Sequence, residues 1–145
     1  MSLALERCGA LAGGLYFAPM QLRSHAFGEF GERIAARWLQ LHGWHVLERR
    51  FRNGRRDVDL IVERNGVVVF VEVKARRGEQ FGDPLEAVHW RKRRELWRSA
   101  SVWVDRYGQP GRVYRFDVVG VLVAGNRVQV RHVTNAFGAP ASYCF

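Results

Sequence analysis

The fold is decided by the stretch Arg56-Asp-Val-Asp-Leu-Ile-Val-Glu63, a turn at Asn65-Gly66, and Val67-Val-Val-Phe-Val-Glu-Val-Lys74. Both outer runs are rich in β-branched and apolar residues, which favour strands, and Asn-Gly between such runs is a strong hairpin signal. The second run is apolar almost throughout before it ends in charge, as expected of a buried central strand. The stretch therefore predicts an antiparallel hairpin in the middle of a sheet.

A two-residue turn fixes the register of this hairpin. Counting back from Asn65-Gly66 places Asp59 directly opposite Glu72 and Asp57 opposite Lys74. Side chains alternate between faces along a strand, so all four lie on one face of the sheet. The hairpin therefore predicts a cluster of three carboxylates and one ammonium group.

The facing carboxylates need a physical explanation. Cβ atoms of opposed residues lie ~4.5–5.5 Å apart, a distance at which like charges destabilise a sheet. A shared Mg²⁺ would remove the repulsion, because this hard ion binds through one or two carboxylates together with phosphate oxygens of a substrate. The alternative is a solvated face held by surface ion pairs, in which Asp57 pairs with Lys74. The hairpin alone leaves both explanations open.

A helix and a strand are predicted before the hairpin. Ser24 can cap the helix, apolar residues recur every three or four positions along it, and Gly43 ends it. A strand follows from Trp44 to Phe51, with Val46 and Glu48 on the side of its first residue. The apolar helix positions are Phe27, Phe30, Ile34, Trp38 and Leu41.

A second helix and a final pair of strands are predicted after the hairpin. Asp83-Pro84-Leu85-Glu86 has the form of a helix start, with a capping Asp, a Pro at the first helical position and a Glu that closes a capping box. The helix is expected to run to Arg106, and the strands from Tyr114 to Val123 and from Arg127 to Val133. The inward-facing residues of the helix are predicted to be Leu85, Val88, Leu96, Ser99 and Trp103.

Composition fits one globular domain. The 145 residues are 48% hydrophobic and 26% charged, which argues against disorder along the whole chain. We expect a folded domain over residues 24 to 138, a loosely ordered extension over residues 1 to 23 and a tail over residues 139 to 145. No apolar run is long enough to span a membrane, and Cys8 and Cys144 lack the spacing of a zinc site or a disulfide framework. These features favour a reducing, cytoplasmic setting.

The charge balance favours a polyanionic partner. Lys plus Arg total 23 against 14 Asp plus Glu, which gives a net charge of +9. Each phosphate that is neutralised by Lys or Arg releases counterions, so such a surface favours nucleic acid. The alternative is a basic surface that only keeps the protein soluble.

Four stretches of the sequence resemble the YraN-type family of small bacterial proteins, which is related to Holliday-junction resolvases within the PD-(D/E)xK nuclease superfamily. Asp59, followed after twelve residues by Glu72-Val73-Lys74, matches the D…ExK pattern of that superfamily. The resemblance covers roughly residues 25 to 138. The four stretches are Gly28-Glu-Phe-Gly-Glu32, Asp57-Val-Asp-Leu-Ile61, Phe70-Val-Glu-Val-Lys-Ala-Arg76 and Arg115-Phe-Asp-Val-Val119.

The resemblance implies an αβββαβ core of the restriction-endonuclease type, in which a mixed central sheet is flanked by helices and the site lies on the central strands. It also implies Mg²⁺ or Mn²⁺ as cofactor, held by Asp59, Glu72 and the backbone carbonyl of Val73. Lys74 would be the base that positions water. Glu32 on the first helix would be an outer carboxylate of the catalytic site; the alternative is an ordinary surface residue.

The activity that the resemblance implies is metal-dependent phosphodiester hydrolysis on DNA, with branched, repair or recombination intermediates as substrates. The alternative is a nucleic-acid-binding module of the same fold that does not cleave and acts with a partner protein. A homodimer is a further expectation, because the two strands of a duplex or junction call for two sites.

Basic residues near the predicted site are candidates for contacts to nucleic acid. Two of them follow Lys74 directly and would lie at the mouth of the site, and three share one face of the second helix. Lys92 leans inward from that helix and falls where the YraN-type family has a lysine, so it can reach the site. A solvated basic helix face is the alternative for the helical residues. The candidates are Arg76, Arg77, Arg91, Lys92, Arg94 and Arg98.

Aromatic and histidine residues between these motifs have two interpretations. Trp90 and Trp97 lie among the arginines, where they can stack on bases or belong to the core. His89 and His132 have no partner at metal-ligand spacing, so a structural role is predicted for them. Asp117 is predicted to be a structural carboxylate that supports the site.

Overall fold

The computed structural model describes residues 22–83, 86, 88–143 and 145. It confirms the predicted α/β domain, with a mixed sheet flanked by helices as in a restriction-endonuclease type of core. All but two residues of the predicted N-terminal extension lie outside the described residues. The elements are α1 (Ser24–Leu41), β1 (His45–Asn53), β2 (Arg56–Arg64), β3 (Val67–Arg77), α2 (Trp90–Tyr107), β4 (Val113–Ala124) and β5 (Arg127–Phe137).

The five strands form one sheet in the order β1-β2-β3-β4-β5. β3 and β4 are parallel, and all other neighbours are antiparallel. Parallel neighbours need a crossover connection, and α2 provides it, since it lies between β3 and β4 along the chain. α1 packs on one face of the sheet and α2 on the other.

Each face of the sheet carries its own apolar core. On the α1 side, Leu39 packs in a cluster with Val71 and other β-branched residues of the central strands. On the α2 side, the ring of Phe70 lies 5.7 Å from that of Trp103 and 5.5 Å from that of Phe116. Burial on both faces explains why β3 is apolar almost throughout.

The predicted hairpin register is confirmed near the turn. Asn65 and Gly66 have φ of +52° and +77°, as a tight two-residue turn requires. Backbone pairing runs from the turn as far as Leu60–Val71, with the predicted partners. The predicted pairs of Asp59 with Glu72 and of Asp57 with Lys74 are wrong as backbone pairs, because pairing of β2 with β3 ends before them.

β2 bends where it leaves β3. Val58 and Ile61 both face α2, whereas strict alternation would place them on opposite faces. Arg50, at the same level on β1, has a φ of +50°, so the neighbouring strand is irregular there too. The side chain of Asp59 replaces the missing backbone pairing, since its Oδ2 accepts a hydrogen bond from the backbone N–H of Val73 at 2.7 Å.

α1 differs from the prediction in two details. Arg23 has the extended conformation of an N-cap and makes no side-chain capping bond, so the predicted Ser24 cap is wrong; Ser24 already lies in the helix. Leu41 is 63% exposed rather than inward-facing, because the buried stripe reaches Leu39 and rotates away from the last position. Gly43 ends the helix as predicted, with a φ of +84°.

α1 approaches β3 closely at Gly31. A Cβ built on Gly31 would lie 2.5 Å from the Cβ of Ala75, far below any normal contact distance. The glycine is therefore what permits the close approach, and this approach sets the depth of the neighbouring Glu32 relative to the sheet.

α2 begins later than predicted. His89 is its N-cap, and Asp83 and Glu86 of the predicted capping box are not helical. Pro84 and Leu85, which the prediction placed in the first turn, lie outside the described residues. The predicted start at Asp83 is therefore wrong, whereas the end of the helix lies one residue beyond the prediction.

Two described residues between β3 and α2 are packed inward before the helix starts. Phe81 packs against β4 at Gly120, where an added Cβ would lie 3.2 Å from the Phe81 ring. Val88 is fully buried but precedes the helix. The packing of Phe81 and Val88 is a feature that the capping signal did not reveal.

A β-bulge in β1 changes the face of Glu48. The register with β2 shifts between Val46 and Glu48, and Glu48 accepts a hydrogen bond from Trp103 Nε1 of α2 at 3.2 Å. The prediction that Glu48 shares a face with Trp44 and Val46 is therefore wrong, because one extra residue reverses the alternation.

The chain beyond β4 contributes to the α2-side core. β5 extends to Phe137, beyond the predicted end at Val133. Tyr143 packs on Trp97 with ring centroids 5.7 Å apart, and the Phe145 ring lies 5.6 Å from that of Phe116. No helix in the described part of the chain is long and apolar enough to cross a membrane.

Candidate active site

The bend in β2 brings carboxylates from two strands together beside the start of α2. Glu72 stays in the sheet, where it pairs with Val118 of the parallel strand β4, and is only 2% exposed. Asp59 is partly buried and is tied to the residue after Glu72 by its hydrogen bond to the Val73 N–H. The structure therefore brings the two predicted metal ligands together, through a side-chain bond rather than through strand pairing.

Two lysines flank the Glu72 carboxylate. Lys74 Nζ lies 2.9 Å from Oε1, and Lys92 Nζ of α2 lies 3.3 Å from Oε2. Lys92 also lies 3.6 Å from Oδ1 of Asp57, so it reaches across from the helix to both strands. Oε2 of Glu72 is buried and has no hydrogen-bond donor of good geometry among the described residues. The carboxylate is thus charge-balanced yet incompletely bonded.

The side chain of Asp59 has a raised pKa. Loss of water raises the pKa of Asp59, and the charge of Glu72 raises it further, to about 8 in total. The Val73 N–H and Lys92 act in the opposite direction but do not outweigh these effects, and Glu32 adds a small further rise. In the absence of a cation, Asp59 is therefore mostly protonated near neutral pH.

Lys92 keeps its charge in the site. Burial acts to lower the pKa of Lys92, but the carboxyl groups of Glu72, Asp59 and Asp57 outweigh it, and the pKa lies above its ordinary value. The partly buried Lys92 ammonium, next to three acids, is a cation that the protein itself supplies to this cluster.

Glu32 is held by an arginine that the sequence analysis missed. Arg50 donates to Glu32 from Nε at 2.7 Å and from its NH2 nitrogen at 3.1 Å, and its NH1 nitrogen donates to Glu29 at 2.9 Å. This bidentate pair fixes Glu32 at the level of Asp59, close enough to raise the pKa of Asp59. Nothing in the sequence marks Arg50, because Arg49 and Arg52 lie in the same strand.

The donor set fits a hard divalent cation. Asp59, Glu72 and the Val73 carbonyl would each offer oxygen atoms to a metal, as Mg²⁺ and Mn²⁺ prefer. Among the described residues, no group of three or more His, Cys, Asp or Glu side chains is arranged to hold a metal. Two carboxylates with a carbonyl nevertheless suffice for Mg²⁺, which usually keeps several waters and takes substrate phosphate oxygens. The crowding that contributes to the raised pKa of Asp59, and the lack of a well-aligned hydrogen bond to Oε2 of Glu72, are both compatible with a site for a divalent cation.

Comparison with known proteins identifies relatives of this chain. The sequence model of "Uncharacterised protein family UPF0102" matches residues 31–121. A UPF0102 protein of Symbiobacterium thermophilum is 44% identical over 119 residues, which cover 80% of this chain and 99% of the relative. Another, from Alkaliphilus metalliredigens, is 37% identical over 114 residues, which cover 79% of this chain and 99% of the relative.

The chain belongs to the UPF0102 family. This is the YraN family, so the resemblance seen in the sequence is confirmed. The matched span contains the acid and lysine cluster described above, from Glu32 to Lys92. A third UPF0102 protein, from Rhodococcus jostii, is 40% identical over 113 residues, which cover 77% of this chain and 96% of the relative.

The basic residues that were predicted to contact nucleic acid, apart from Lys92, fall into three groups in the UPF0102 protein. Arg76 lines a shallow cleft with Lys74, on the side of the sheet that faces the site. Arg77 points to the other side, where its guanidinium lies 3.7 Å from the centre of the Phe27 ring and donates to the backbone carbonyl of Leu22. Arg77 is therefore engaged in holding the start of α1. The third group, Arg91, Arg94 and Arg98, is exposed on α2.

Asp117 of the UPF0102 protein forms a separate buried network. It accepts two hydrogen bonds from Arg115 at 3.0 Å, one from the Asn135 N–H at 2.8 Å, and lies 2.7 Å from His132 Nε2. Burial acts to raise the pKa of Asp117, but these partners outweigh it and hold the pKa below its ordinary value. The network ties β4 to β5, and the structural role predicted for His132 is confirmed.

Proposed function

We propose that this UPF0102 protein is a metal-dependent nuclease that hydrolyses phosphodiester bonds in DNA. The observation that carries the proposal is the cluster of Asp59 and Glu72, in which burial and then the charge of Glu72 raise the pKa of Asp59, with Lys74 Nζ 2.9 Å from Glu72 Oε1. Perturbed carboxyl groups beside a fixed lysine are typical of catalytic sites. The net charge of +9 supports a polyanionic substrate.

In this proposal, Asp59, Glu72 and the Val73 carbonyl would hold Mg²⁺ or Mn²⁺. The bound ion would stabilise the negative charge that develops on the phosphate oxygens during hydrolysis. Lys74 has its ammonium group positioned by Glu72, so it can hold the attacking water by a hydrogen bond. Glu32, held by Arg50, would be a further carboxylate beside the bound ion.

The substrate would be held by cations around this cluster. Arg76 shares the cleft of Lys74 and is free to contact a phosphate, and Lys92 lies between the two strands and α2. A cytoplasmic location, action on branched DNA and a homodimer with two sites belong to the same proposal.

A cleavage assay tests the proposal. Single-stranded, duplex, flapped and four-way-junction DNA, with RNA alongside, are incubated with Mg²⁺ or Mn²⁺ and wild-type, Glu72→Ala or Lys74→Ala protein. We expect the wild type to cleave at least one DNA substrate and both variants to lose ~100-fold or more of that rate, as removal of a group that acts in the transition state does. Circular dichroism verifies that the variants are folded.

Asp105→Ala is the matched control, since Asp105 is an exposed carboxylate at the far end of α2. It should cleave like the wild type. The proposal fails if the pure protein binds no divalent ion and Glu72→Ala leaves every activity unchanged.

One observation favours a second candidate function. Both oxygens of Glu72 are already close to lysine ammonium groups, so the cluster is charge-balanced without a metal. This suits a nucleic-acid-binding module that does not cleave and acts with a partner protein. Salt-dependent binding that persists in EDTA, with no cleavage of any substrate in Mg²⁺ or Mn²⁺, would select this candidate.

A further inference from the structure

Trp90 is the most exposed aromatic residue in the described part of the chain, with 62% of its surface in water. It is nevertheless anchored: its ring meets the ring of Trp97 edge to face, with centroids 5.3 Å apart. Trp97 is buried and packs in turn on Phe137 and Tyr143. The core therefore holds the Trp90 indole in a fixed position while most of it stays open to a ligand.

Arginines surround this indole on the helix surface. Residues three or four positions apart are neighbours on a helix surface. Arg94 lies four residues after Trp90, Arg98 four residues after Arg94, and Arg91 three residues before Arg94. These four side chains therefore share adjoining parts of one face of α2. All three arginines are exposed, and none has an ion pair with another described residue.

The position of these charges costs stability. The first turn of α2 contains no acidic residue, and basic residues fill positions 91 to 94. Cations near the N-terminal end of a helix oppose its macrodipole. Bound phosphates would remove this repulsion, so the charges are better explained by an anionic ligand than by the stability of the helix.

This surface and the contact to the carboxylate cluster belong to the same helix. Lys92 belongs to the same helical turn as Trp90 and reaches Glu72 at 3.3 Å. Two residues correspond to about 200° around a helix, so Trp90 and Lys92 project from nearly opposite sides of α2, and a strand that passes over Trp90 lies on the other side of the helix from the acids.

We propose that Trp90, Arg91, Arg94 and Arg98 form a platform for single-stranded DNA on α2, the helix that also carries Lys92 to the cluster of Asp59 and Glu72. One base stacks on the Trp90 indole, and the arginines bind the neighbouring phosphates. A base can present its face to a side chain only where it is not stacked in a duplex, so the platform selects single strands or unpaired segments. The inference rests on the proposed function for its choice of nucleic acid as the ligand.

Binding without cleavage tests the platform. In EDTA, a fluorescent single-stranded oligonucleotide and the matching duplex are titrated with wild-type, Trp90→Ala and Trp90→Phe protein. We expect Trp90→Ala to bind the single strand ~10-fold or more weakly and the duplex almost unchanged, because loss of one base stack costs about that factor. Trp90→Phe, which retains an aromatic face, should recover part of the affinity.

The chain offers matched controls at the other end of α2. Tyr107 is also exposed, at 52%, and lies 17 residues from Trp90, which is ~25 Å along the helix. Tyr107→Ala should bind like the wild type. Arg94→Gln should lower the slope of log affinity against log salt by about 0.7, whereas Arg106→Gln, in the last turn, should leave the slope unchanged.

The outcomes separate this inference from the proposed function. Loss of single-strand binding in Trp90→Ala supports the platform even if no variant ever cleaves DNA. Equal binding by Trp90→Ala and wild type overturns it, even if the Glu72 site proves catalytic. A shift of Trp90→Ala from dimer to monomer in sedimentation, with unchanged DNA binding, would also overturn it and identify the surface as an interface between copies of the chain.

Discussion

Asp117 shows how a single buried carboxylate couples stability to pH. Its folded-state pKa lies below the ordinary value of 3.8, because bonds from His132, Arg115 and the Asn135 N–H outweigh its burial. A depressed pKa contributes stability that is present above the unfolded-state value and is lost as the pH falls through the folded-state value. The network therefore stabilises the fold at neutral pH and weakens below about pH 4.

Asp117→Asn removes this contribution. At neutral pH we expect the free energy of unfolding to fall by about 3 kcal/mol, since Arg115 and His132 lose their charged partner. The difference from the wild type should shrink as the pH falls below about 4 and should be lost as the pH passes through the lowered folded-state pKa of Asp117, where the wild-type carboxyl group becomes protonated. Denaturant titrations at a series of pH values measure this. Asp105→Asn should show a small difference without this trend, and a constant Asp117→Asn difference at all pH values would contradict the assignment.

At the residue scale, Glu32 and Arg77 differ most from what the sequence predicted for the site. Glu32 was expected as an outer carboxylate, and the structure places it near Asp59 but in a bidentate pair with Arg50. Arg77 was expected at the mouth of the site and instead packs on Phe27. Both partners come from other elements, so their identity depends on how those elements meet and not on local spacing.

At the scale of elements, the contact of α1 with β3 at Gly31 sets the geometry of the site. Gly31→Ala should lower the free energy of unfolding by about 1–3 kcal/mol, because its Cβ would overlap that of Ala75 unless the helix moves. The usual helical advantage of Ala over Gly, about 1 kcal/mol, offsets only part of this cost.

A double variant tests that explanation. Ala75→Gly removes the opposing Cβ, so Gly31→Ala combined with Ala75→Gly should recover most of the loss. Thermal and denaturant unfolding of the two single variants and the double variant form the required cycle. Additive losses would show that the clash is not the cause. Gly28→Ala is the control, since an added Cβ there meets no atom within 4 Å.

The start of α2 and the bulge in β1 were the elements least accessible to prediction. The capping box at Asp83 is a local signal, but Phe81 and Val88 hold that segment against the sheet. The bulge moves Glu48 to the α2 side, where Trp103 donates a hydrogen bond to it. In each case a tertiary contact outweighs a correct local preference.

At the scale of the whole molecule, the net charge of +9 predicts how the protein meets nucleic acid. In EDTA, we expect affinity for duplex DNA to fall roughly tenfold or more between about 50 and 200 mM salt, because each neutralised phosphate releases counterions. Fluorescence anisotropy at several salt concentrations measures the slope. Affinity that does not change with salt would show that the basic charge only keeps the protein in solution.

Apart from the mixed sheet, which the family resemblance implied, the sequence alone determined the strands, the turn at Asn65-Gly66, the register close to that turn and the acid–lysine pattern of Asp59, Glu72 and Lys74. These features follow from local rules: side chains alternate along a strand, and a two-residue turn fixes which residues pair. The family followed from the same residues.

Only the tertiary structure decided how the site is assembled. β2 leaves β3 before Asp59, so the two acids meet through a hydrogen bond to the Val73 N–H and not across a ladder. Lys92 had been expected to lean inward, but its exact partners, and the clamp of Arg50 on Glu32, depend on where helices lie over the sheet. The spacing of residues along the chain determines on which face of a helix or strand each side chain lies. Bends, bulges and the depth of packing determine which residues of other elements that side chain contacts.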